Sequence, residues 1–178
     1  MFWLLIAVGA IAAVILVVLI TGSLLPQNHR ASVSREIPAP PEQVWRTITS
    51  LRDLPNWHPE VKSVEAIVET QGKTAWRETY RNGDKIAYET VSTEPPRRLV
   101  RRIADPKLPY GGTWTLDIED KSFGSRVTIT EDGEVYNPIF RFVSRFFIGH
   151  TVTMERYLAA LAQRLASAPV ETASNQHA

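Results

Sequence analysis

The 178-residue chain contains no cysteine, which excludes disulfide bonds, thiolate catalysis and cysteine-based metal sites. It also lacks any strong excess of charge, because 20 lysines and arginines nearly balance 19 aspartates and glutamates. That balance gives no argument for nucleic acid as a partner, which would call for a continuous basic surface. The histidines do not follow one another at metal-ligand spacing; they are His29, His58, His150 and His177. We therefore expect no metal, no cofactor and no nucleic-acid partner.

Charge is missing altogether from the first 28 residues, and the run from Phe2 to Ile20 is almost wholly apolar. About 20 apolar residues are enough to cross a hydrocarbon core of ~30 Å. A cleaved signal peptide would usually place a basic residue before the apolar run and small residues at a cleavage site, and neither pattern is present. The sequence predicts an uncleaved transmembrane anchor over residues 1–26 and a short connector over residues 27–31.

The basic residues indicate the side of the membrane on which the rest of the chain lies. None precedes the anchor, whereas Arg30 and Arg35 follow it closely. Since basic residues near a span stay in the cytoplasm, these two favour a single-pass membrane protein with a cytoplasmic C-terminal domain.

Beyond the connector, side chains alternate with a period of two, as they do in strands that face a core on one side. Seven segments have strand-like character: 32–37, 61–68, 74–81, 85–92, 97–103, 112–118 and 125–135. Turn signals separate them, including Gln71-Gly72 and, most clearly, Asn82-Gly83, which is typical of a two-residue hairpin. Two short segments with helical spacing, 42–48 and 51–57, come between the first two strands. Strands joined by hairpins form an antiparallel sheet.

The last apolar pattern, over residues 137–168, predicts one long amphipathic helix of about 30 residues, or ~45 Å. Its apolar stripe comprises Ile139, Phe142, Val143, Phe146, Phe147, His150, Thr153, Met154, Tyr157, Leu161 and Leu165. So long a helix needs a broad surface to lie on. We therefore expect an α+β domain over residues 32–167, in which a curved antiparallel sheet of about seven strands wraps the helix, and a disordered tail over 168–178. A bend at Gly149 would re-aim the neighbouring aromatic side chains.

Four stretches of the chain resemble the START-like (SRPBCC) superfamily, which includes polyketide cyclase/dehydrase-type and lipid-transport domains. They are SREIPAPPEQVWRTITSLRDLPNWHPEVKSVE, YGGTWTLDIE, GSRVTITEDGEV and the ending YLAALAQRL. The resemblance covers about residues 31–166 and implies a helix-grip fold whose sheet and long helix enclose an apolar cavity. It implies functions that range from carrying lipids or polyketides to cyclisation, dehydration and hydrolysis. No catalytic residue is implied, and a fold alone does not settle a function.

Nine side chains are candidates for the wall of such a cavity. Alternation puts three of them on one strand face, and neighbouring strands and helices supply the others. The set is Trp57, His58, Trp76, Glu78, Tyr80, Tyr88, Trp114, Phe146 and His150. An aromatic, mainly apolar pocket with few polar groups is typical of small-molecule sites. The alternative is that these residues pack against the long helix as ordinary core.

The polar members of this set each have two interpretations. Glu78 could act as an acid or base in an apolar pocket, or it could pair with an arginine such as Arg101. His58 could contact a ligand at the mouth of the cavity, or it could be a solvated loop histidine. His150 could be a polar contact inside the cavity, although we favour a core histidine bonded to a carbonyl.

The only basic cluster consists of Arg97, Arg98, Arg101 and Arg102, which strand parity divides between two faces. One pair could contact anionic lipid headgroups. A solvated sheet face is the commoner arrangement, and we expect it here.

Three functions fit these patterns. The leading hypothesis is a membrane-tethered domain that binds a hydrophobic small molecule such as a lipid, an isoprenoid or a polyketide-like compound. The second is a cyclase/dehydrase-type enzyme that uses a cavity carboxylate or histidine. The third is a non-catalytic interaction module that presents Ile148 and Val152 to a partner.

Overall fold

The alternating segments form seven strands, which a computed structural model of the chain describes together with the helices over residues 1–70 and 73–167. The strands are β1 (Asn28–Ile37), β2 (Val61–Thr70), β3 (Lys73–Tyr80), β4 (Lys85–Glu94), β5 (Arg98–Ile103), β6 (Tyr110–Lys121) and β7 (Gly124–Val135). They pair in the order β1-β7-β6-β5-β4-β3-β2, and every pair is antiparallel. β1 begins at Asn28, inside the expected connector. The predicted Gln71-Gly72 turn and the tail 168–178 lie outside the described residues.

The helices are α1 (Phe2–Leu24), α2 (Pro41–Thr49), α3 (Leu54–Trp57), α4 (Pro138–Val143) and α5 (Val152–Ala166). A 3₁₀ turn, Leu51–Asp53, leads into α3, and a π-helical turn, Ser144–Ile148, continues α4. α2 and α3 come between β1 and β2, as the sequence predicts. The α+β helix-grip arrangement is confirmed.

Local chemistry explains where several of these elements begin and turn. Asn82-Gly83 joins β3 to β4, and Gly83 has the positive φ of +97° that such a turn requires. Asn137 caps α4, because its Oδ1 accepts hydrogen bonds from the backbone N–H groups of Ile139 and Phe140. Pro138 then occupies the first helical position.

The core lies between one face of the sheet and the helices α2, α3 and α5. β1, β6 and β7 contribute the alternate residues Ile37, Leu116, Ile118, Val127 and Ile129, all buried. The helices contribute Val44, Ile48, Leu54, Met154, Leu158 and Leu161. These side chains hold α5 against the sheet, and a cavity remains beside its N-terminal part, where Thr153 and Tyr157 line it.

The prediction of one continuous C-terminal helix was wrong. The backbone N–H of Gly149 bonds to the carbonyl of Ser144, five residues earlier, and Gly149 then leaves the helix with φ +78°. The apolar stripe is therefore correct only in α5, where Tyr157 and Leu161 are buried. Before the break, Phe142 and Phe146 still share one face, with ring centres 4.9 Å apart, but Phe146 and Phe147 are exposed.

α1 is long and apolar enough to cross a membrane. The residues of its most apolar stretch are not buried against the rest of the described chain. Its C-terminal end nevertheless packs against α4. Gly22 makes this contact possible, because a Cβ there would lie 2.0 Å from the carbonyl oxygen of Pro138.

Candidate functional site

A cavity of about 380 Å³ lies between the sheet and the segments that cover it. Strands β3 to β7 supply one side of its wall, and the loop at His58 supplies part of another. The segment from Phe140 to Tyr157, which includes the break at Gly149, lies across the rest. The break in the C-terminal helix is thus part of the cavity wall.

Glu78 is held at the centre of a buried hydrogen-bond network. Its Oε1 accepts a hydrogen bond of 2.8 Å from Trp76 Nε1, and its Oε2 accepts one of 2.8 Å from the Tyr80 hydroxyl. The hydroxyls of Tyr80 and Tyr88 lie 2.9 Å apart. The period of two in β3 puts the three β3 residues on one face, and Tyr88 is the β4 partner of Trp76. Burial raises the pKa of Tyr80 and of Tyr88, so both phenols stay protonated.

Arg101 brings a buried positive charge to the same network. Its side chain is 8% exposed, and its Nη1 lies 3.9 Å from Glu78 Oε1. Its Cζ is 5.0 Å from the ring centre of Trp114, 5.1 Å from that of Tyr157 and 5.7 Å from that of Tyr88. The guanidinium therefore makes cation–π contacts with three aromatic rings in addition to its ion pair with the Glu78 carboxylate.

The expectation of a solvated arginine cluster was wrong for Arg101. Arg97, Arg98 and Arg102 are exposed, but the side chain of Arg101 is directed to the inner face of β5 next to Leu99. The alternative pairing of Glu78 with Arg101 is the one that the geometry supports.

His58 lies at the edge of this network and is buried rather than solvated. Its Nδ1 accepts a hydrogen bond of 3.3 Å from the backbone N–H of Glu60. Burial lowers the pKa of His58 below its usual 6.5, and Glu78 and Glu60 only partly oppose this shift. The ring is therefore neutral at pH 7, and with Nδ1 as acceptor its proton is on Nε2.

A second polar cluster occupies another part of the cavity wall, and two of its members were not among the predicted site residues. Glu131 accepts a hydrogen bond of 2.6 Å from Trp114 Nε1, and its other oxygen is 3.0 Å from His29 Nε2. The His29 ring stacks on that of His150, with centres 3.8 Å apart. Burial first, and the adjacent His29 second, lower the pKa of His150. His150 thus stacks on a histidine in the break between helices, and not at the centre of a helix as expected.

Only part of this cluster left a signal in the sequence. Glu131 shares its strand face with Val127 and Ile129, so alternation alone would have directed it inward. His29 had no such signal, because it was assigned to the connector.

Six of the nine predicted site residues line the cavity: His58, Glu78, Tyr80, Tyr88, Trp114 and His150. Their wall is more polar than predicted, since Arg101, Glu131 and His29 also belong to it. The cavity therefore suits a ligand with an apolar body that also carries polar groups.

The other three predicted residues lie elsewhere. Trp57 packs edge-on against Tyr157, with ring centres 5.2 Å apart, and Trp76 is buried behind Glu78 and Tyr88. Phe146 is on the outer surface, 56% exposed, beside the ring of Phe142, with ring centres 4.9 Å apart.

The relatives of the chain agree with this architecture. A family model described as polyketide cyclase/dehydrase and lipid transport matches residues 28–168. The chain belongs to this family. Its fold accordingly recurs in solved SRPBCC structures, and the family match begins at the first residue of β1. No curated protein matches the chain in sequence.

Three solved structures illustrate the likeness. A protein of Thermus thermophilus is 26% identical, with a TM-score of 0.64 over 79% of this chain and 100% of its own. The Zhui aromatase/cyclase of a Streptomyces species is 13% identical, with a TM-score of 0.64 over 78% of this chain and 94% of its own. The di-domain aromatase/cyclase StfQ of the steffimycin biosynthetic pathway is 11% identical, with a TM-score of 0.63 over 79% of this chain and 52% of its own. The last two likenesses concern the fold alone.

Proposed function

We propose that the protein is a membrane-tethered SRPBCC domain that holds a hydrophobic small molecule, such as a lipid, an isoprenoid or a polyketide-like compound, in the cavity between sheet and helices. The observation that carries the proposal is the cavity itself, whose volume of about 380 Å³ remains after the core has packed. Small-molecule pockets have volumes of roughly 300–1,000 Å³ and combine aromatic walls with a few placed polar groups.

The polar groups define which part of a ligand each end of the cavity accepts. At one end lie the Glu78–Arg101 network and the neutral His58, and at another lie Glu131 and the stacked histidines. Trp114 lies between them, because its Nε1 bonds to Glu131 and its ring packs against Arg101. A molecule with a ring or chain body and a hydroxyl or carbonyl group satisfies this pattern better than a pure hydrocarbon, since buried polar groups require partners.

Two features support the tether, namely the length of α1 and its short connection to the domain. α1 has 23 residues, a length of ~35 Å, which exceeds a ~30 Å hydrocarbon core. Only residues 25–27 separate it from β1. An anchor connected this closely keeps the cavity beside the bilayer, where hydrophobic ligands are concentrated. Arg30 and Arg35 support a cytoplasmic location for the domain.

Photo-crosslinking tests the proposal on the full-length chain in detergent. A diazirine-bearing fatty acid serves as the probe, and mass spectrometry maps the modified residues after irradiation. We expect modification at the cavity wall, for example at Tyr88 or Trp114, and a reduction in the Ile103→Trp variant, whose larger side chain narrows the cavity. Modification of α1 alone would contradict a ligand site in the domain.

One observation favours a second function, an acid–base enzyme of the cyclase/dehydrase kind. A carboxylate and a histidine, Glu131 and His29, are paired at 3.0 Å beside the same cavity. A positioned pair of this kind can transfer protons to and from a bound substrate. Glu131→Gln would then abolish turnover of a polyketide-type substrate while the crosslinking pattern of the cavity stays unchanged; unaltered turnover would exclude Glu131. The interaction module has no comparable support, since the Ile148 side chain lies outside the described residues.

A further inference from the structure

The segment that covers the cavity carries a row of exposed apolar side chains. In α4 and the π-helical turn, Ile139, Phe140, Phe146 and Phe147 are exposed, Phe147 to 76%. We call residues 138–147 the aromatic segment. Large apolar side chains in adjacent exposed positions mark a surface that has a partner.

The same segment is fixed to the end of α1. Pro138 packs on Gly22 at a distance that excludes any side chain at that position. Arg141 Nη1 donates a hydrogen bond of 2.8 Å to the carbonyl of Leu25, and its Nη2 donates one of 3.3 Å to the carbonyl of Tyr136. The guanidinium therefore ties the last residues of α1 to the start of the aromatic segment.

This attachment determines the depth of the aromatic segment in the membrane. If α1 spans the bilayer, residues 22–25 at its end lie in the interfacial layer, because its ~35 Å length slightly exceeds the ~30 Å core. The residues that touch this end lie at the same level. Beside the phenylalanines, the exposed Arg145 can contact lipid headgroups, and this mixture of aromatic and basic residues is typical of interfacial helices.

The aromatic segment also contains part of the cavity wall. Phe140 and Ser144 line the cavity, as does Gly149 just beyond the segment. Phe140 is at the same time 46% exposed, so the wall meets the outer surface at this residue. An opening of the cavity at Phe140 would therefore face the same surroundings as the exposed side chains of the aromatic segment.

We propose that the aromatic segment seats in the interfacial layer of the bilayer that α1 spans, so that the cavity opens at Phe140 directly onto lipid. This proposal rests on the proposed function, because the seat requires the membrane tether and the route requires the ligand site. The continuity of the aromatic segment with an apolar span is what selects a bilayer over a protein partner.

Single-cysteine labelling of the full-length chain tests the depth, and the absence of native cysteine makes each label unique. The environment-sensitive fluorophore NBD is attached at Phe147→Cys, at Ile11→Cys in α1 and at Phe123→Cys. Phe123 is the matched control: it is 95% exposed and lies in the β6–β7 turn, where Gly124 contacts the Ile37 end of β1. Ten residues of β1 separate that end from the anchor, a distance of ~30 Å. The protein is placed in nanodiscs of phosphatidylcholine and phosphatidylglycerol, with nitroxide-labelled lipid or iodide as quencher.

We expect nitroxide lipids to quench the labels at positions 11 and 147, and iodide to quench the label at position 123. Quenching at position 11 without quenching at 147 would overturn the interfacial seat while leaving the anchor intact. A label at 147 that neither quencher reaches would assign the aromatic segment to a second copy or another protein, and would also overturn the proposal. Iodide quenching at all three positions would contradict both the membrane span of α1 and the interfacial position of the aromatic segment.

The route of the ligand has its own measurement, which separates it from the proposed function. The diazirine fatty acid is supplied either in liposomes or in detergent, and Phe147→Glu is compared with Phe123→Glu. We expect Phe147→Glu to reduce cavity crosslinking severalfold when liposomes supply the probe and to leave it unchanged in detergent. Equal crosslinking of both variants from liposomes would overturn the route, whereas no cavity crosslinking of the parent chain in detergent would overturn the proposed function itself.

Discussion

Glu78 and Arg101 form a buried pair whose members depend on each other. The carboxylate accepts hydrogen bonds from Trp76 and Tyr80, and the guanidinium is enclosed by aromatic rings. Both side chains are largely buried, so each relies on the other to offset its loss of water.

Neutralising Glu78 alone should therefore destabilise the domain. Glu78→Gln leaves Arg101 buried without its counter-charge, and we expect the free energy of unfolding to fall by about 3 kcal/mol. In the double variant Glu78→Gln/Arg101→Met the loss should be clearly smaller than the sum of the two single losses. Chemical denaturation of the detergent-solubilised chain, followed by tryptophan fluorescence, measures all three. Additive losses would show that the two side chains do not interact.

His58 should make the stability of the domain depend on pH. Burial lowers its pKa below 6.5 in the folded state, so the unfolded chain binds the proton more readily. The contribution of the neutral His58 ring to the free energy of unfolding is complete above pH 6.5 and is lost as the pH falls toward the folded-state pKa. We expect His58→Asn, which keeps an acceptor for the Glu60 N–H, to reduce the fall in melting temperature between pH 7 and pH 5. A fall identical to that of the parent chain would exclude His58 as its source.

Individual site residues could be predicted where alternation alone determined their direction. Glu78 and Tyr80 were found because they share a strand face with Trp76, and the hydrogen bonds between them follow from that spacing. Arg101 was misplaced because a run of arginines is normally solvated, and its burial depends on rings from other elements. His29 meets Glu131 across 102 positions of sequence, a pairing that no local pattern contains.

Two glycines of α1, Gly9 and Gly22, have different surroundings and so provide a test variant and its matched control. A Cβ at Gly22 would collide with Pro138, whereas a Cβ at Gly9 would meet nothing within 4 Å. We expect Gly22→Val to separate α1 from α4 and Gly9→Val to have no such effect. Spin labels at Leu24→Cys and Phe147→Cys report the separation by double electron–electron resonance. The same narrow distance distribution in both valine variants would show that α1 and α4 are not in contact.

Among whole elements, the strands, the Asn82-Gly83 hairpin and the apolar helix could be read from the sequence because each has a strong local period or turn signal. The course of the long C-terminal helix could not be read in this way, because a helical wheel assumes ~100° per residue throughout. The π-helical turn and the positive φ of Gly149 break that assumption. Periodicity also does not say what a stripe faces: before the break, Ile139, Phe146 and Phe147 lie on the outer surface.

The molecule as a whole combines a helix able to span a membrane with an SRPBCC domain connected to it by three residues. The cavity is bounded by the very segment that is attached to this helix. α1 and the cavity wall are thus in direct contact through this segment, and the proposed function assigns a role to both.

Native mass spectrometry of the full-length chain, released from detergent micelles, tests whether the cavity holds a hydrophobic molecule. The matched variants are Ile103→Trp, which narrows the cavity, and Val91→Trp, which places a tryptophan at an exposed position of β4. We predict one bound hydrophobic molecule on the parent chain and on Val91→Trp, and its loss from Ile103→Trp. A parent chain without any bound molecule, or one whose bound molecule survives in Ile103→Trp, would contradict it.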